Sequence, residues 1–335
     1  MEEKLGHSPR SGTGLILGKF MPPHRGHQAL VEFGLRFVDR LTVLVCTLKR
    51  EPISGELRYA WMRELFPAAD VVHVTDEVPS DPSEHPEFWS IWTQLIRKRI
   101  PRGPDFVFAS EAYGQRLAEV LGARFIPVDQ ARGMVNISAT QIRQDPLGHW
   151  DYLPDCVRPY YVRRVCIFGP ESTGKSTLAR DLAVRLGTVH VAEFARGLLD
   201  ARDGRCDPED IPVIARGQAA AEDALARQAR RVIICDTDVL TTRIWSEVLF
   251  GSCPSEVAAE ADRRTYDLYL VPDIDVPWVQ DGQRYLGHRR EEFMKRCIDA
   301  LESRGRKYVR IRGSWKERLE QSVRAVETML ACPRE

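Results

Sequence analysis

The feature that constrains this chain most is the string Gly-Pro-Glu-Ser-Thr-Gly-Lys-Ser-Thr at residues 169–177, which fills every fixed position of a G-x-x-x-x-G-K-[ST] phosphate-binding loop. The apolar run at residues 165–168 leads in as a buried strand, and residues 176–186 lead out with helical periodicity. Strand, loop and helix in that order leave few folds open. Gly169 and Gly174 let the backbone curl so that successive N–H groups across Glu171, Ser172 and Thr173 point at one phosphate. The helix N-terminus adds its partial positive charge, and Lys175 reaches the outer phosphates. Ser176, with Thr177 beside it, supplies a hydroxyl to Mg²⁺. A Gly/Ser turn without a ligand is the bland alternative, and the flanking strand and helix weigh against it. Domains of this kind open with that strand, so the long segment before residue 165 requires a fold of its own.

Length agrees: 335 residues suit two domains better than one core. The 48 basic and 48 acidic side chains balance, and no polybasic block advertises a nucleic-acid or membrane surface. The eight cysteines show no C-x-x-C spacing and several sit in apolar strand patterns, so we expect a reducing cytoplasm and neither disulfides nor zinc. No apolar run reaches membrane-spanning length, and residues 1–13 form a polar, loose tail without a signal-peptide core.

Residues 14–18 read as a buried strand, followed by Lys19-Phe20-Met21-Pro22-Pro23-His24-Arg25-Gly26-His27 and a helical pattern over 28–37. His24 and His27 straddle Gly26 where the helix should begin, the place where anions settle. A bare H-x-x-H is more often a metal half-site or a surface pair, but the preceding strand, Gly18 and the proline pair shift that balance. Strands at 41–46, 71–74, 106–109 and 124–128 then alternate with helices at 56–66, 86–100 and 113–121. Such alternation builds a doubly wound parallel sheet whose ligands collect at the carboxyl ends of the strands. The helix of Arg58, the pair Ser110-Glu111 and the segment 136–143 should converge there. In that last segment Ser138 is an N-cap candidate, Thr140 lies in the first turn and Arg143 one turn on, so hydroxyls, N–H groups and a guanidinium can meet one triphosphate.

The pairing of G-x-F-x-P-x-H-x-G-H (Gly18, Phe20, Pro22, His24, Gly26, His27) with Ile-Ser-x-Thr-x-x-Arg (Ile137 to Arg143) resembles the nucleotidylyltransferase superfamily over residues 14–144. The resemblance implies that Gly18, Lys19, Phe20, Ser138 and Thr140 hold ATP with His24, His27 and Arg143 while the α-phosphorus is attacked. Residues 146–162 are rich in proline and aromatics, which suits a packed connector better than a flexible tether.

Beyond the phosphate loop, a strand at 188–191 ends in Glu193-Phe194-Ala195-Arg196. Glu193 reads as a general base and Arg196 as a charge clamp, or the two as a surface ion pair. A helix over 208–230 precedes the strand 232–235, whose tip Asp236-Thr237-Asp238 is placed to organise Mg²⁺ or accept a proton. After a strand at 267–271, the polar loop 273–290 carries Trp278, Asp281, Arg284, Arg289 and Arg290. An arginine-bearing lid over a transferring phosphoryl group excludes water and offsets charge. Trp278 either stacks on a flat ring or anchors the lid. Helix 291–303, strand 307–311 and helix 315–330 close the chain.

The strings at 169–177, Glu-Phe-Ala-Arg, Asp-Thr-Asp-x-x-x-Thr and Pro-Trp-Val-Gln-Asp-Gly-Gln-Arg are similar to those of the NadR-type family, in which a nicotinamide mononucleotide adenylyltransferase is fused to a ribosylnicotinamide kinase. The resemblance implies an α/β protein of two doubly wound parallel-sheet domains, 14–145 and 163–335, that uses ATP and Mg²⁺ at both sites. Its ligands would be nicotinamide riboside, the mononucleotide and NAD. By resemblance Arg58, Trp89, Arg196, Asp238, Trp278 and Asp281 contact substrates, Ser176 and Asp236 place the metal, Arg284 offsets charge, and Glu193 or Asp236 accepts the kinase proton. Many members carry an N-terminal helix-turn-helix domain; only the thirteen polar residues precede the first strand here, so repression on DNA is not expected. A homo-oligomer is compatible with the sequence. A coenzyme A synthase-like fusion and a nucleotide-sensing regulator are the rival readings. The strings at 193–196 and 277–284 oppose the first, and intact His24, His27, Lys175 and Asp236 oppose the second.

Overall fold

The computed structural model describes residues 11–131, 133–279 and 287–332. The chain divides into two compact units, one ending at Val157 and one beginning at Arg158.

In the first unit the strands are β1 (Thr13–Gly18), β2 (Arg40–Cys46), β3 (Asp70–Val74), β4 (Phe106–Ala109) and β5 (Arg124–Pro127). Between and after them run α1 (Arg25–Phe37), α2 (Gly55–Leu65), α3 (Phe88–Arg99), α4 (Tyr113–Leu121) and α5 (Ala139–Gln144). All strand pairs are parallel, in the order β3-β2-β1-β4-β5. The near-continuous apolar runs of β1 and β2 follow from burial on both faces. Ile16, Val43 and Val45 turn toward one cluster with Leu30, Val31 and Met62, while Leu15, Leu44 and Val107 turn toward another with Trp92, Ile96 and Leu117. Strand order reverses beside β1, which opens a crevice at the carboxyl ends of β1 and β4.

The second unit opens with α6 (Arg158–Tyr161) and repeats the plan with β6 (Arg163–Ile167), α7 (Lys175–Leu186), β7 (His190–Val191), α8 (Phe194–Asp200), α9 (Asp210–Leu225) and β8 (Val232–Asp236). Then come α10 (Val239–Phe250), α11 (Ser255–Arg263), β9 (Leu268–Pro272), α12 (Arg290–Glu302), β10 (Tyr308–Ile311) and α13 (Trp315–Ala331). Its sheet is also parallel, ordered β10-β9-β6-β8-β7. Val165, Ile167, Ile234 and Leu270 pack against Leu178 and Leu182 of α7 and Val326 of α13. Cys166 and Cys235 are fully buried in the strands, and burial pushes both thiols well up.

The ten strands among the described residues lie within or beside the apolar runs that predict them, although β7 is only His190–Val191 of the expected 188–191. The first helix starts earlier than its pattern, at Arg25, which makes His24 its N-cap, and the helix expected over 208–230 is shorter, Asp210–Leu225. Helices α6, α8, α10 and α11 have no counterpart in the sequence reading.

Candidate functional site

In the first unit the ends of β1, β2 and β4 enclose a cavity of about 640 Å³, lined by Gly18, Lys19, Phe20, His27, Trp89 and Arg143 among others. His27 forms part of the wall, edge-on to Phe20 with centroids 4.9 Å apart. His24 stands behind it, its ring 3.8 Å from that of His27 and its Nδ1 accepting the Gly26 N–H at 3.1 Å. With Nδ1 as acceptor, the neutral imidazole of His24 carries its proton on Nε2. Phe20 adopts φ +47°, a conformation that side chains seldom take and that clusters at ligand loops.

The late segment docks on this loop. Ser138 forms a capping box with Gln141, so its hydroxyl serves α5 rather than the cavity, while Thr140 and Arg143 reach the cavity wall. Arg143 donates to the Met21 carbonyl at 2.5 Å and to Thr140 Oγ1 at 3.1 Å, tying together the two motifs that the sequence separates widely. Trp89 is half-buried in the wall; Trp92 is 8% exposed with Nε1 on the Pro79 carbonyl, which makes it chiefly core.

Arg58 departs from expectation. It is fully buried, donating to the carbonyls of Lys19 at 2.7 Å and Cys46 at 3.4 Å and to Glu51 at 2.5 Å. A guanidinium so placed fixes the loops after β1 and β2 and does not line the cavity. Glu51, absent from the sequence reading, does line it and pairs with Lys19 at 3.1 Å. Burial pushes its carboxyl up, but the Leu48 N–H and Arg58 outweigh burial and hold it below its ordinary value.

In the second unit a cavity of about 170 Å³ lies over the phosphate loop and is walled by Glu171, Lys175, Ser176, Glu193, Arg196 and Trp245 among others. The loop's curl needs Gly169 at φ +142° and Gly174 at φ +83°; a Cβ on Gly174 would also meet the Trp315 ring at 2.4 Å. Ser172 takes φ +56°. Buried Thr173 donates to the Pro170 carbonyl at 3.0 Å, and Lys175 Nζ donates to the same oxygen at 2.9 Å. Ser172, Gly174 and Thr177 face the cavity, whereas Gly169 and Thr173 shape the loop from behind.

Asp236 ends β8 and is 2% exposed. Burial raises its carboxyl above the ordinary range, with Lys175 and the Ser176 hydroxyl pulling the other way. Its Oδ1 has no hydrogen-bond partner among the described residues. A hydroxyl beside a buried, incompletely satisfied carboxylate fits Mg²⁺, which takes one or two protein oxygens and completes its shell with phosphate and water. No group of three or more His, Cys, Asp or Glu among the described residues could hold a metal unaided.

Two further expectations change. Asp238 caps α10, accepting the Thr241 N–H at 2.8 Å and hydroxyl at 3.0 Å, and its other oxygen accepts the Tyr269 hydroxyl at 2.9 Å. It is committed to the core, and Thr241 and Thr242 stand at the cavity instead. Trp278 does not line the cavity: the Arg290 guanidinium lies 5.6 Å from its ring centroid, and Arg290 also donates to the Ser172 carbonyl at 3.2 Å. That contact is compatible with the anchoring alternative. Asp281 and Arg284 lie outside the described residues.

Sequence reasoning also missed Arg318. It is buried on α13, donating to the carbonyls of Thr173 at 3.0 Å, Asp273 at 3.1 Å and Gly313 at 2.9 Å and pairing with Asp275, so it props the phosphate loop from below. Trp245, whose ring is 4.4 Å from Phe293, was missed along with its helix.

Two doubly wound parallel sheets, one carrying an H-x-G-H loop of nucleotidylyltransferase type and the other a P-loop, define a two-domain nucleotide-binding α/β protein. A family model described as an AAA domain matches residues 164–318. The trifunctional NAD biosynthesis/regulator protein NadR of Escherichia coli (strain K12) is 30% identical over 323 residues, spanning 89% of this chain and 78% of that protein. The chain belongs to the NadR family. Among solved structures, a NadR protein in complex with NR gives a TM-score of 0.78 at 22% identity, over 97% of this chain and 98% of that one. A NadR protein in complex with NAD and AMP-PNP gives 0.77 at 23% identity over the same shares, 97% and 98%.

Proposed function

We propose that the chain performs two successive steps of NAD biosynthesis, one in each unit. The observation that carries this reading is that a chain of the NadR family presents both phosphate loops with their phosphate-binding groups in place: His27 and Arg143 on one cavity, Lys175 and Ser176 on the other.

In the second unit the 5′-hydroxyl oxygen of nicotinamide riboside attacks the γ-phosphorus of ATP. The bond to the β,γ-bridging oxygen breaks and ADP leaves. Glu193 stands at the cavity while Asp236 lies behind Ser176, so Glu193 takes the hydroxyl proton. Loop amides and Lys175 hold the phosphates, Arg196 offsets charge, and Trp245 with Leu199 and Ile214 offers an apolar wall to the flat ring. Ser176 and Asp236 would hold Mg²⁺, which when bound neutralises charge on the β- and γ-phosphates.

In the first unit a phosphate oxygen of the mononucleotide attacks the α-phosphorus of a second ATP. The bond to the α,β-bridging oxygen breaks, giving NAD and pyrophosphate. The nucleophile is already an anion, so no base is required, and the work is positioning and charge stabilisation by His24, His27, Lys19 and Arg143. Trp89 serves as the stacking face for the nicotinamide ring.

Purified protein incubated with riboside, ATP and Mg²⁺ is expected to form mononucleotide with ADP, then NAD with pyrophosphate, when products are followed by chromatography. Untouched riboside would overturn the kinase substrate and turn attention to coenzyme A precursors. Mononucleotide without NAD would overturn the adenylyl step.

A further inference from the structure

The wall of the second unit's cavity contains a polar group with no duty in the steps above. Gln218 is 2% exposed and lines the cavity from α9 together with Ile211 and Ile214, residues that share one face of that helix. The protein itself sets which end of the amide is which. Oε1 accepts the Phe194 N–H at 3.0 Å, so the opposite end is the NH₂ group with its two donors. That nitrogen, Nε2, has no acceptor among the described residues. Buried donors in folded proteins are almost always satisfied, and one left open in the wall of a cavity is complete only when something enters. Its surroundings narrow what enters. The Phe194 bond ties Gln218 to the segment carrying Glu193, while the isoleucines on the same helix face suit a flat, weakly polar body.

We propose that Gln218 determines substrate specificity at the kinase site, its Nε2 donating a hydrogen bond to an acceptor oxygen of the nucleoside, either a ribose hydroxyl oxygen or the ring carboxamide oxygen. The inference rests on the kinase reading of this unit. It predicts rejection of nucleosides that lack the matching oxygen, because the donor would then stay buried and unpaired beneath them. The positioning alternative is that Gln218 serves only to hold Phe194, and through it Glu193.

Steady-state kinetics of the full chain separate the two. Gln218→Met removes both ends of the amide, whereas Gln218→Glu keeps an acceptor for the Phe194 N–H and removes the amide donors. Both variants are assayed with nicotinamide riboside, its 2′- and 3′-deoxy analogues and an analogue without the carboxamide. Gln218→Met should raise KM for the riboside by about tenfold or more, with KM for ATP near wild type. Gln218→Glu should follow it. The analogue on which the substitution has no effect identifies the partner oxygen. Wild-type KM in Gln218→Glu, or an equal response on every nucleoside, would overturn the proposal in favour of positioning. Wild-type turnover with both variants unchanged would overturn this inference alone, and a wild-type protein inert toward the riboside would overturn the kinase reading and this inference with it.

Discussion

Asp236 and Asp238 stand two positions apart and carry opposite duties. Thr237 between them takes φ +69°, which turns the chain so that Asp238 enters the core as the cap of α10 while Asp236 stays beside Ser176. Both carboxylates were legible as site candidates, since a strand tip is where ligand-facing acids gather. The turn that separates them was not, because a non-glycine residue at positive φ leaves no mark in the sequence. Removing Asp238 deletes a cap and orphans the buried Tyr269 hydroxyl, so Asp238→Ala is expected to cost about 2–4 kcal/mol in urea unfolding. Asp236→Asn should do the reverse. Its folded-state proton affinity exceeds that of the unfolded chain, so the ionised carboxylate weakens the fold increasingly as pH rises above its ordinary value of 3.8. The asparagine variant should therefore lose the kinase step while unfolding at equal or higher urea at neutral pH.

At the level of elements, the strands were legible because each is an apolar run buried on both faces, and the phosphate loops because glycine spacing states their backbone shape. Helix α10 escaped notice because Val-Leu-Thr-Thr-Arg-Ile-Trp is rich in β-branched residues and buries Val239, Leu240, Thr241, Thr242 and Ile244, which blurs the amphipathic stripe that marks a helix. The supports beneath the sites escaped for another reason. Arg318 reaches Thr173 across 145 positions, and Glu222 of α9 meets Tyr266 across 44, partnerships that only the folded topology creates. Glu222 is fully buried; burial pushes its carboxyl up to about 7, although the Tyr266 hydroxyl and Arg264 pull it back. The folded chain thus holds this proton more tightly than the unfolded one, whose glutamate titrates near 4.5. Its contribution is fully present below that value and is lost as pH rises through about 7. Glu222→Gln should flatten this part of the pH profile, seen as a smaller difference between urea midpoints at about pH 5 and about pH 8 than in wild type.

Across the whole molecule, each unit has its own sheet, its own core and its own cavity. If each step belongs to one unit, damage should stay local. Lys175→Ala should abolish mononucleotide formation from riboside while leaving adenylylation of added mononucleotide near wild type, and His27→Ala should give the mirror result. Loss of both activities in either variant, with the fold intact by circular dichroism, would overturn the division of labour.

Trp315 has a use beyond shape. Its indole is 55% exposed yet presses on Gly174, at the point where the loop becomes a helix, with the Arg318 guanidinium 5.6 Å from its ring. A chromophore so close to the phosphate cradle, and still open to solvent, senses the polarity of that spot. Its emission is therefore expected to change when ATP is added, with no attached dye needed.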